Sequence, residues 1–86
     1  SVNIEKYLDN VELVLVGGEY DRDARPFDYD WVLSLREQCI KHNVSFDFHQ
    51  CGSNFIVDGQ LHKLNYAMLY KRAREFNINY NAQTEV

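Results

Sequence analysis

The sequence predicts an α/β domain in which a strand–helix–strand unit is followed by a β-hairpin and a C-terminal helix, and three observations carry that expectation. The run from Glu12 to Val16 is nearly all Val and Leu, without alternation, and stops at Gly17-Gly18. Strands of that kind are usually covered on both faces, as in a parallel sheet. A helical pattern follows from about Tyr29 to His42, and then Val44, Phe46 and Phe48 alternate with Ser45, Asp47 and His49 at the period of a strand. Finally, Asp58-Gly59 sits between two short strand-like runs, the residue pair that a tight hairpin turn requires.

Taken in order, Asn3 can cap a short helical turn carrying Ile4, Tyr7 and Leu8. After the first strand, Glu19 to Asp28 is polar, holds the only proline, Pro26, and reads as a loop. Asp28 suits the N-cap of the next helix, and Asp30 favours its first turn. Trp31, Leu35 and Cys39 fall at i, i+4 and i+8 with Val32 beside them, so they are expected to line the buried face, while Arg36, Glu37 and Lys41 lie opposite. Asn43 is a suitable helix terminator. Strand, helix and strand should form a right-handed parallel crossover. Asn54–Val57 and Gln60–Lys63 form the hairpin arms, and a second helix is expected over about Asn65–Phe76 with Tyr66, Leu69, Ala73 and Phe76 on one face. Asn77–Val86 is polar and Asn-rich and reads as a loosely ordered tail.

Eighty-six residues make one small domain, and 45% hydrophobic with 14% aromatic residues is enough for a core. Cys39 and Cys51 carry no framework spacing and fit a reducing cytoplasm better than a secreted scaffold. The first residues are polar and charged, so no signal peptide is expected, and the apolar run Leu13–Val16 is far too short to cross a bilayer. A net charge of −4 argues against broad binding to nucleic acid. The cluster Lys71, Arg72 and Arg74 reads as a solvated helix face.

Parallel strands place their C-terminal ends on one sheet edge, so Gly17-Gly18-Glu19 and His49-Gln50-Cys51-Gly52 should be neighbours. That edge is where an α/β sheet holds ligands, and Gly17, Gly18, Glu19, Arg25, His49 and Gln50 are the candidate ligand-binding residues. Glycines at a strand end allow either a ligand or another backbone to come close. Glu19 could bind an amine, relay a proton or pair with Arg25, whose planar fork could instead clamp a carboxylate or phosphate. Neither a phosphate-loop nor a dinucleotide glycine pattern is present. His49 and Cys51 are two apart and could face the same way, but two ligands do not make a zinc site and no third group orients them as a nucleophilic pair. No metal site is expected. Trp31 is expected to anchor its helix, and Cys39, Phe27, Tyr29, Phe46, Phe48 and Phe55 to lie in the core.

Several blocks match a family pattern in the same order: Val14-Leu15-Val16-Gly17-Gly18-Glu19 with Ala24-Arg25-Pro26; Trp31-Val32 with Leu35-Arg36 and Gln38-Cys39; Val44–Phe48 with Gln50 and Gly52; and Phe55-Ile56 with Asp58-Gly59 and Leu61. Over residues 1–80 the chain resembles the C-terminal half of a bacterial and phage-associated family of unknown function. Complete members of that family look like radical S-adenosylmethionine proteins with an N-terminal cysteine cluster. The resemblance implies a partial (β/α) barrel and a fragment of a larger protein. It places S-adenosylmethionine and an iron–sulfur cluster only in the full-length protein, with no cofactor in this chain. Tyr20-Asp21-Arg22-Asp23 stands where the family has a Ser/Gly-rich stretch, and Cys51 where an aromatic residue is common.

Two functions follow from these readings. In one, the six candidate residues line one rim of a small-molecule or nucleotide site. In the other, the chain is a non-catalytic structural or oligomerisation module, covering its unpaired edges with a second copy or with the missing N-terminal half.

Overall fold

In the computed structural model, which describes residues 3–83, the expected elements follow in order with one unpredicted two-residue strand between them, and they assemble into two sheets rather than one. Strands β1 (Leu13–Gly17) and β3 (Ser45–Gln50) pair in parallel, with α1 (Tyr29–Lys41) between them in the chain. A second sheet holds β2 (Phe27–Asp28), β4 (Asn54–Val57) and β5 (Gln60–Lys63), with β2 parallel and β5 antiparallel to the central β4. Helix α2 (Tyr66–Phe76) follows. The break between sheets falls at Cys51–Ser53, where Gly52 adopts a φ of 76° and turns the chain away from the direction of β3. A mixed α/β domain is therefore present, while the continuous sheet of a partial barrel is not.

Local chemistry explains most element ends. The Asp28 side chain accepts from the Asp30 N–H at the start of α1, and Asn65 does the same for Met68 at α2. Asn43 and Asn77 take left-handed conformations just past each helix, at φ 54° and 52°. Asp58 and Gly59 have φ 51° and 77°, as a two-residue hairpin turn demands. Near the N-terminus, the expected turn is a 3-10 helix over Glu5–Tyr7, and the Asn3 side chain accepts from the Glu5 N–H.

Three helix and strand faces differ from expectation. Strand β1 is covered on one face only: Val16 is buried, whereas Leu13 and Leu15 are 53% and 58% exposed. On α1 the fully buried residues are Val32 and Cys39, and Trp31 stands 44% exposed. Leu35 packs against the core, so of the four residues expected on this face only Trp31 departs from it. On α2, Leu69 and Ala73 are buried while Tyr66 is 60% exposed.

Phe46, Phe48, Phe55 and Val32 form the centre of the core. Tyr29 and Phe76 stack across it with ring centroids 4.3 Å apart. Of the expected loose tail, residues 84–86 lie outside the described residues, but residues 77–83 are ordered along the free edge of β3. Phe46 and Tyr80 exchange both backbone hydrogen bonds, at 2.8 and 2.9 Å. The Asn79 side chain accepts from the Phe48 N–H at 2.8 Å. The Asn43 side-chain Oδ1 accepts from the Tyr80 hydroxyl and the Gln83 N–H. The Asn-rich composition supplies side-chain partners in place of a regular strand.

Among the described residues, no helix is long and apolar enough to cross a membrane.

Candidate functional site

The C-terminal ends of β1 and β3 meet as the parallel pairing requires, through an irregularity that sorts the candidate residues. Val16 pairs with Phe48 but Gly17 pairs with Gln50, so His49 is an extra residue, a bulge in β3. His49 is exposed on the face opposite Phe46 and Phe48, and its ring sits edge-on to Tyr70 of α2 at 5.0 Å. His49 therefore leaves the rim, and it does not share a face with Cys51, which is fully buried. Gln50 stays, but as a brace. Its backbone carbonyl accepts from the Gly18 N–H at 3.3 Å, and its side-chain oxygen accepts from the Gly52 N–H at 3.2 Å.

The glycines answer to the chain itself. A Cβ on Gly18 would lie 2.8 Å from the Gly52 Cα and 2.9 Å from the Cys51 carbonyl oxygen. One on Gly17 would meet the Gln50 side chain at 2.9 Å. What approaches closely here is the backbone after β3, and the tight strand exit is realised.

Beyond the glycines, the loop from Glu19 to Pro26 is held by the residues that open β4. The Ser53 N–H donates to the Glu19 carbonyl at 2.9 Å, and the Ser53 hydroxyl donates to the Asp21 carbonyl at 2.6 Å. The Asn54 amide donates to the Ala24 carbonyl at 2.6 Å. Ser53 and Asn54 were not apparent as site residues, because their partners lie about thirty residues away in the chain. Their one sequence signal is a pair of small polar residues at the mouth of a strand.

This fixed loop closes a cleft of about 350 Å³ lined by Gly17, Gly18, Glu19, Arg25, Pro26, Phe27 and Trp31. Arg25 Nε and Nη2 each lie 2.8 Å from the same oxygen, Oε1 of Glu19. The pair faces solvent, with the two side chains 87% and 53% exposed. Oε2 of Glu19 has no hydrogen-bond partner among the described residues. Trp31, displaced from the core stripe, supplies a flat ring to the cleft wall.

No group of three or more His, Cys, Asp or Glu that could hold a metal ion occurs among the described residues. Both cysteines are free and buried. Burial pushes the Cys51 thiol up to about 12 and raises that of Cys39. A Cys51–His49 nucleophilic pair is thus absent, since the thiol is buried and held protonated while the imidazole points away. His42 is engaged elsewhere, with its Nε2 2.8 Å from Glu5 Oε2.

A family model described as "Protein of unknown function (DUF5131)" matches residues 2–84. No curated protein and no solved structure matches the chain.

Proposed function

Taking as premise that the chain belongs to the DUF5131 family, we propose that it forms one rim of a small-molecule or nucleotide site, at the cleft between the end of β1 and the start of α1. One observation carries this reading: an exposed acid–base pair, Glu19 and Arg25, shares that cleft with the ring of Trp31. An exposed ion pair contributes little to stability, so opening it costs a ligand little. A ligand amine would replace the guanidinium at Glu19, a carboxylate or phosphate would replace Glu19 at Arg25, and a planar ring would lie against Trp31.

The sequence resemblance is what places this unit in a bacterial or phage-associated, radical-S-adenosylmethionine-like protein, and the parallel pairs β1–β3 and β2–β4 are compatible with a (β/α) arrangement although they lie in separate sheets. Cys39 and Cys51 do not fit a cluster ligand set, because both thiols are buried and held protonated. No step through an iron–sulfur cluster is assigned to this chain, and its rim residues would hold substrate.

The test is an NMR titration with adenosine monophosphate and with S-adenosylmethionine. Saturable shifts at Gly18, Glu19 and Trp31 are expected, and they should disappear in folded Arg25→Ala and Glu19→Gln variants. Binding that is absent in the parent chain, or unchanged in both variants, would sink the reading.

The second reading, a structural module that self-associates, is favoured by Leu13 and Leu15 on β1, whose outer edge pairs with no strand among the described residues. It requires a concentration-dependent dimer in light scattering that Leu15→Lys abolishes. A strict monomer at high micromolar concentration excludes it.

A further inference from the structure

On a different part of the molecule, we infer that the cavity between the β4–β5 hairpin and α2 binds small apolar carboxylates of the arylalkanoic class. Its volume is about 240 Å³, and it is lined by Phe55, Val57, His62, Leu64, Arg72 and Phe76. Phe55 is 1% exposed and forms a rigid floor, with the Phe76 ring edge-on at 5.8 Å and Tyr29 stacked behind Phe76. Val57 and Leu64 complete apolar walls.

The polar residues that line the cavity are His62 and Arg72, and no acidic residue is among the lining. In a chain of net charge −4, the formal charge that lines this cavity is the Arg72 cation. An apolar recess with few polar groups at its rim is the usual form of a small-molecule site. A dry apolar cavity of roughly 150 Å³ admits benzene, so this one has room for a phenyl ring and a short chain. The acid group then reaches the rim, where a guanidinium can grip both oxygens.

Among the described residues, Arg72 has one competing partner. Its Nε lies 3.5 Å from Glu75 Oε1, a loose contact between half-exposed side chains. Glu75 therefore opposes an incoming anion and sets a second, opposite handle on affinity.

The proposal is tested by NMR titration of the whole chain with 3-phenylpropionate and its neutral amide. A ligand of about ten heavy atoms should bind with a dissociation constant on the order of 0.1–1 mM. Shifts should centre on Phe55, Val57, Leu64 and Phe76, with the acid about tenfold tighter than the amide. Arg72→Gln, at an exposed position where folding is safe, should erase that preference, and Glu75→Gln should tighten the acid alone. Equal binding of acid and amide, shifts on another face, or no saturable shift by roughly 10 mM ligand would overturn it. None of these outcomes depends on the Glu19–Arg25 cleft.

Discussion

Gly18 and Gly52 pass with so little room that a Cβ on either would come within 2.8 Å of the other's Cα. The first follows β1 and the second follows β3, so this contact fixes how far apart the two strand exits sit. It also orders the loop that carries Glu19 and Arg25.

Replacing these glycines should therefore be costly for different reasons. Gly18→Ala forces backbone apart and should cost ~1–3 kcal/mol, the range for overpacking. Gly52→Ala adds strain at φ 76°, roughly 1–2 kcal/mol more. Gly59→Ala meets nothing within 4 Å but has φ 77°, so it should cost only that strain, ~1–2 kcal/mol. Urea unfolding gives the ranking; a Gly18→Ala as stable as the parent would remove the close approach.

Asn79→Ala should destabilise by about 1–2 kcal/mol, because it strips the acceptor from the partly buried Phe48 N–H. Hydrogen exchange at Phe48 should accelerate at the same time. A variant with unchanged exchange would mean that residues 77–83 do not hold the edge of β3.

Glu5 links the first turn to the end of α1, with Oε2 2.8 Å from His42 Nε2 and 3.3 Å from Lys41 Nζ. Hydrogen bonds from His42 first and Lys41 second hold its carboxyl below the ordinary value of 4.5. A depressed acid contributes above its unfolded value and loses that contribution as pH falls through the folded one. The difference in stability between the parent and Glu5→Gln should thus be present at about pH 5 and vanish under stronger acid. A difference that persists unchanged at pH 3 would contradict the clamp.

Cys39 and Cys51 should resist alkylation at pH 8 in the folded chain and react together once it is denatured, as mass spectrometry would record. Buried, protonated thiols are poor nucleophiles. Rapid labelling of Cys51 in the native state would contradict its complete burial.

The parts of the fold that were legible in the sequence are those decided locally. Asp58-Gly59, the Asp28 cap and the left-handed Asn43 each follow from one residue's own conformational options. What stayed hidden depends on contacts across the chain. Phe27–Asp28 read as loop because a two-residue strand exists only through its partners Phe55 and Ile56. His49 read as a rim residue because it ends β3, and only the register with β1, in which Gly17 pairs with Gln50, shows that it is passed over there. Trp31 read as core because its spacing fits a stripe almost as well as Val32 does, and packing chose the smaller residue. Of the six candidate rim residues, Gly17, Gly18, Glu19 and Arg25 share the cleft, Gln50 braces it from behind and His49 faces α2.

The segment around Tyr80 also limits how copies of this chain could add to one another. By occupying the far side of β3, it leaves the β1–β3 sheet open along β1 alone. A sheet that can extend in one direction only pairs with its twin and then has no edge left to offer. Any growth through this sheet would end at two, so an edge otherwise suited to fibre formation would close on itself.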